Sequence, residues 1–193
     1  VVILDNEYVG KAKARFRGDN YYHWLTPYKS WKVKLKSDSL YKSQRILNLV
    51  STKGNEVLNN DMSYKLANTL GVLAPESSLV TLQVNARNNG IKVLVEQLDE
   101  SFLRNNSLMP NDIYKGDNIA LAEYLGLSQN LIEGDYLWEK SSYNNHYDEN
   151  SKIPLRRFFD SLFDRTYSNI DVESFARFSV LLSLAGSKHV DET

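Results

Sequence analysis

Lys32, Lys34 and Lys36 alternate with Trp31, Val33 and Leu35. Alternation with period two is the mark of a strand with one wet face, so three ammonium groups share one side and repel one another unless anions lie near. Two readings of such a face stay open. It is either a solvated surface or a phosphate site, where strand cations neutralise phosphoryl charge. A second alternating run, Lys11-Ala12-Lys13-Ala14-Arg15-Phe16-Arg17, is followed by the turn residues Gly18-Asp19-Asn20 and adds positive charge if it neighbours the first. Glu96 ends the apolar string Val93-Leu94-Val95. A carboxylate there meets water or pairs with a cation, and residues bordering a hinge often line a cleft. His189-Val190-Asp191 follows a helical pattern, and an Asp in such a loop can accept a hydroxyl proton.

Other chemistries find no support. There is no GxGxxG, no GxxxxGK[ST] and no GxSxG string. The three histidines, His23, His146 and His189, show no metal-ligand spacing, and there is no cysteine. A net charge of −1 on 193 residues argues against a nucleic-acid partner. No run of about 18 apolar residues is present, so no membrane span is expected. An apolar fraction of 42% with 11% aromatics is enough to build a core, so wholesale disorder is excluded. The chain opens on Val1 without a signal-peptide layout and ends on Thr193 without a natural stop, and is read as a piece of a longer protein.

The elements that must position these residues are read as follows. Strands are expected over 11–17 and 31–36. A helix is expected over 61–70, capped by Asn60 or Asp61, with Met62, Leu66 and Leu70 on one face and Gly71 as a left-handed C-cap. Two strands, 79–84 and 91–96, form a hairpin whose loop, Asn85 to Gly90, is longer than two residues. After Leu98 strand patterns stop. A short helix is expected over 119–125 and a polar loop over 141–151. Pro154 suits the first turn of a helix carrying Leu155, Phe158, Phe159, Leu162 and Phe163. Asp171 caps a last helix that buries Val172, Phe175, Phe178, Leu181 and Leu182 and ends at Gly186. The class is therefore α+β, with residues 1–98 forming an antiparallel sheet with one helix and residues 99–193 mostly helical. A hinge is expected near 98–106.

Several strings resemble the CotH (spore coat protein H) kinase family. They are Arg17-Gly18 with Lys29-Ser30-Trp31-Lys32-Val33-Lys34-Leu35, and Val84-Asn85 with Gly90-Ile91-Lys92-Val93-Leu94-Val95-Glu96-Gln97-Leu98-Asp99 and Phe102-Leu103. Ile113-Tyr114-Lys115 and Ile170-Asp171-Val172-Glu173-Ser174-Phe175 follow, then Asp191. Ala86 and Ile91-Lys92 depart from the family pattern. The resemblance implies an atypical, kinase-like fold of two lobes, the second incomplete here, without a standard glycine-rich loop. It implies ATP with Mg²⁺ or Mn²⁺ and phosphoryl transfer to Ser or Thr of a surface or coat protein, outside the cytoplasm or on a spore or cell surface. By position it makes Asp191 the catalytic carboxylate and puts Lys32 or Lys34 on the phosphates. Arg17 and Gly18 would border the phosphates, Glu96 would line the cleft, and Tyr114 and Lys115 would lie near the adenine. The family's metal-binding W-D-x-D string is expected beyond Asp191, so these residues alone are expected to transfer phosphate poorly. The alternative is a non-catalytic coat-assembly or adhesion protein on the same fold.

Overall fold

The computed structural model describes residues 2–4, 7–18, 29–36, 38–51, 56–116, 125–127, 130–132, 134–142 and 152–185. The chain divides into two compact units. One is Val1–Thr69 with Leu73–Gln97, and the other is Leu70–Val72 with Leu98–Thr193.

In the first unit, β1 (Val2–Leu4) and β2 (Glu7–Gly10) pair as a small antiparallel ribbon. β3 (Ala12–Phe16), β4 (Trp31–Leu35), β5 (Ile46–Val50), β6 (Ser77–Val84) and β7 (Arg87–Glu96) make a wholly antiparallel sheet in the order β3-β4-β5-β7-β6. Helix α1 (Glu56–Thr69) lies between β5 and β6 in the chain and packs on β6 and β7. Directly opposed residues of an antiparallel pair share a face, so the register sorts the side chains. Val33, Leu35, Leu47, Leu49 and Leu94 fall on one face and form a buried cluster, with Ala12, Trp31, Val80 and Leu82 packed against it. Full burial of each large aliphatic side chain contributes about 1.5–3 kcal/mol. The other face carries Val93 and Val95, both buried, on the half of the sheet where α1 packs.

Three local expectations are corrected. Strand β5 was not anticipated, because Asn48 interrupts the short apolar run Ile46-Leu47-Asn48-Leu49-Val50 and masks its period. Helix α1 starts at Glu56, not near residue 61, so Asn60 and Asp61 are not its caps. Asp61 is buried inside the helix, where its carboxylate accepts from Ser77 Oγ at 2.7 Å and Lys65 Nζ at 2.6 Å. The hairpin loop has two residues rather than six. Asn85 and Ala86 turn with φ of 51° and 62°, and pairing resumes at Arg87. Two positive φ values in succession give the twist that a two-residue hairpin needs. Gly71, with φ of 70°, follows α1 as expected of a left-handed C-cap.

In the second unit, α2 (Glu100–Asn105) is capped by Asp99, whose carboxylate accepts the Ser101 N–H at 2.8 Å. Strand pairing does not stop after Leu98. β8 (Ile113–Gly116) and β9 (Trp138–Ser142) form an antiparallel ribbon, entered through a 3-10 turn at Asp135–Leu137. α3 (Ile153–Phe163) has Pro154 in its first turn and buries Leu155 and Phe159. α4 (Val172–Ala185) is capped by Asp171, which accepts from Ser174 N at 3.0 Å and Ser174 Oγ at 2.8 Å. Those hydrogen bonds hold the Asp171 carboxyl below its ordinary pKa. Only Leu181 of the expected α4 face is buried; Val172, Phe175 and Phe178 are exposed and Leu182 is half-buried. Most of the 119–125 and 141–151 segments, Gly186 and Asp191 lie outside the described residues. Among the described residues no helix is long and apolar enough to cross a membrane.

Candidate functional site

The two basic runs are neighbours. Lys13 opposes Lys34 and Arg15 opposes Lys32. The pairing continues one step past each strand end, because Lys36 N–H donates to Lys11 C=O at 3.1 Å and Arg17 N–H donates to Ser30 C=O at 3.0 Å. One sheet face therefore carries three consecutive cation-on-cation rows, Lys11 with Lys36, Lys13 with Lys34 and Arg15 with Lys32, and Arg17 follows at the end. Like charges directly opposite destabilise an antiparallel pair. Lys11, Lys13, Arg15, Arg17, Lys34 and Lys36 are exposed, and Lys32 is half-buried. The apolar partners alternate to the core side. Phe16 packs on Trp31 in a tilted arrangement with centroids 4.6 Å apart, and Lys29 Nζ stands 4.4 Å over the Phe16 ring.

The Arg15–Lys32 row continues across the sheet. Lys32 opposes Asn48, Asn48 opposes Val95, and Val95 opposes Ser77. Asn48 is buried; its Nδ2 donates to Gln97 Oε1 at 3.2 Å and Val95 C=O at 3.4 Å, while its Oδ1 has no hydrogen-bond partner among the described residues. Ser77 ends the row and meets Asp61 of α1. Burial by itself raises the Asp61 carboxyl, but the hydrogen bonds from Lys65 and Ser77 and the Lys65 charge bring it below its ordinary value. The strand cations, a buried amide and a helix carboxylate are thus set along one face.

Glu96 is not on that face. It neighbours Val95 along β7 and opposes Leu47, so its side chain belongs to the core side. It is 4% exposed, accepts the Glu76 N–H at 3.2 Å, and lines a cavity of about 30 Å³ with Tyr41, Gln44 and Leu94. Gly18 has φ of 111°, a conformation that suits glycine at the end of the basic strand. Arg17, Gly18, Lys32 and Lys34 are brought together, whereas Glu96 faces the other way. Tyr114 and Lys115 lie on β8 of the second unit. Asp191 is outside the described residues.

Two buried ammonium groups escaped sequence reading. Lys92 is fully buried while its neighbour Ile91 is 58% exposed, the reverse of their hydropathy. The register puts Lys92 on the core face with Leu94, opposite Val80, and its Nζ donates to Ser51 Oγ at 3.1 Å. Desolvation lowers its pKa. In the second unit, Lys140 Nζ lies 2.8 Å from Asp112 Oδ1, with side chains 3% and 6% exposed. The contact is an ion pair, and neither atom has a hydrogen-bond partner among the described residues. Tyr114 opposes Lys140 and donates to Asp112 Oδ2 at 3.4 Å. Burial, then the Asp112 charge and that hydrogen bond, push the Tyr114 hydroxyl up to about 12. The only sequence signal for either lysine is a cation inside a strand-like stretch.

Among the described residues no three His, Cys, Asp or Glu side chains converge as metal ligands. The donor set does fit a polyphosphate, since Lys32, Lys34, Arg15 and Arg17 offer cations on one face. A family model described as CotH kinase protein matches residues 14–191, most of the chain. No curated protein matches it.

Proposed function

Because this chain belongs to the CotH kinase family, we propose that it serves ATP-dependent phosphoryl transfer to Ser or Thr hydroxyls of a partner protein. The observation that carries this reading is the placement of Lys32 and Lys34 on the sheet face that α1 covers further along, with Asp61 of α1 at the end of the Lys32 row. Protein kinases set a strand lysine against the phosphates and leave little covalent work to the protein; the Asp61 carboxylate here is held by Lys65 and Ser77. Here Lys32 and Lys34 would hold the phosphate oxygens and spread their charge, with Arg17 and the Gly18 backbone bordering them. Asp191 would orient the acceptor hydroxyl and take its proton. Tyr114 and Lys115 enter as adenine contacts through the resemblance alone, and so does a position outside the cytoplasm or on a spore or cell surface. A bound Mg²⁺ or Mn²⁺ would neutralise charge on the β- and γ-phosphates; none of its ligands is assigned among the described residues.

Thermal denaturation with rising ATP and either metal tests this reading. A ligand that binds only the folded state at about 100 times its Kd adds about 2.7 kcal/mol of stability. The wild-type chain should shift and Lys32→Ala/Lys34→Ala should not. Phosphate incorporation into a protein acceptor, lost in Asp191→Ala, would add the transfer step. No shift with any nucleotide would favour a binding role without catalysis.

A further inference from the structure

The cation ladder is longer than a triphosphate needs, and it lies on an open strand. Residues 11–17 extend about 20 Å at 3.4 Å per residue. β3 is the last strand of its sheet, and among the described residues nothing pairs with its outer side. Lys11, Lys13, Arg15, Lys34 and Lys36 make no side-chain ion pair or hydrogen bond among the described residues. Lysines on an edge strand are a common guard against aggregation. That explains charges on β3 but not the matching ones on β4, which has partners on both sides.

The hydrogen-bond phase adds a second feature. The backbone bonds of Lys11 and Arg17 reach β4. In an antiparallel pair the bonding residues alternate, so Lys13 and Arg15 also bond inward. Ala12, Ala14 and Phe16 therefore turn their N–H and C=O groups to the open edge. These are small or flat residues, and their backbone is accessible to an incoming strand.

We propose that β3 accepts an extended acidic segment of a partner protein as an added strand. Its backbone pairs with Ala12, Ala14 and Phe16. Its alternate side chains, Asp or Glu, fall on the cation face with a period of two, about 6.8 Å, which is the spacing of Lys11, Lys13 and Arg15. Charge complementarity supplies the partner's chemistry, and the open edge supplies its conformation. The surface meets the nucleotide reading at Arg15, but Lys11, Lys13 and Lys36 have no part in that reading.

Fluorescence anisotropy with the full chain tests the proposal. The probes are a labelled peptide alternating Glu and Thr, a peptide of the same composition with its glutamates in one block, and an oligothymidylate of similar length. The alternating peptide should bind best and weaken as salt rises. Lys11→Gln/Lys13→Gln/Lys36→Gln should weaken it by about tenfold or more, with the ATP-induced thermal shift unchanged. Ala14→Pro removes one outward N–H at a position where an edge strand tolerates proline, and should also abolish tight binding. Equal binding of the block peptide or the oligothymidylate would overturn the proposal. So would peptide binding that survives both variants. Loss of the ATP shift in wild type with peptide binding intact would sink the nucleotide reading alone.

Discussion

One face of the five-stranded sheet has two unlike halves. Over β3 and β4 it is a ladder of exposed cations; over β7 and β6 it is Val93, Val95 and Ser77 beside helix α1. Both halves pair antiparallel. What differs is what lies on the face. On the covered half, each side chain gains from losing water and from packing. On the open half, each row of like charges costs stability and keeps the surface solvated. The contrast shows where this fold gives up stability to keep charge available, which is expected of a surface that meets an anion rather than of one that only holds the sheet together.

The largest expected effect is on the covered half. Val93 has no exposed surface, and Val93→Ala should cost about 2–3 kcal/mol through lost transfer energy and a residual cavity. Urea unfolding measures it, and a cost close to zero would mean that this half is not packed as described. Next comes the link between helix and sheet. Asp61→Ala removes the acceptor for Ser77 and Lys65 and should cost about 1–3 kcal/mol at neutral pH. The Asp61 carboxyl titrates below its ordinary value in the folded chain. Its contribution is thus present above the unfolded pKa of 3.8 and is lost as pH falls through the folded value. The variant should therefore lose less stability between pH 5 and pH 2, taken as rough limits, than wild type does.

Lys92 provides a test of the core face with the same pH sign in an alkaline window, because raising the pH there relieves a burial penalty. Its folded pKa lies below 10.5, so between the two values the unfolded chain binds more protons. Stability should rise with pH toward 10.5, and the penalty should be full below the folded value. Lys92→Met should flatten that rise. Denaturation midpoints measured on both proteins from neutral to alkaline pH decide it, and parallel curves would show that Lys92 is not the group responsible. The smallest effect belongs to the open half. Lys13→Glu replaces a repulsive pairing with Lys34 by an attractive one and should gain about 0.2–1 kcal/mol at low salt. A loss there would mean that the ladder has an anionic neighbour on the protein itself.

Much of the fold could be read from residue order. The strand at 31–35, the hairpin partners, Pro154 in the first turn of α3 and the Asp171 cap all rest on local backbone rules, and these operate without knowledge of the rest of the chain. Three of the features that residue order did not reveal share one cause. Asn48, Asp61 and Lys92 are polar residues placed inside by partners far away in sequence. Their neighbours Gln97, Ser77 and Ser51 lie 49, 16 and 41 residues off. The exposed Phe175 and Phe178 misled in the other direction, since an apolar periodicity names a face but not what meets it.

For the candidate site, the alternation of lysine with Trp31, Val33 and Leu35 determined that the cations share a side, because strand geometry allows nothing else. It could not separate Lys32 from Lys34 and Lys36; solvent exposure does, leaving Lys32 half-buried beside Asn48. Nor could it show that Glu96 turns its carboxylate away from them. That depends on the register between β5 and β7, where a shift of one residue would exchange the two faces. Residue type and spacing set the chemistry on offer. Strand pairing, a long-range choice driven by burial of the Leu47, Leu49 and Leu94 face, decided which of those groups stand together.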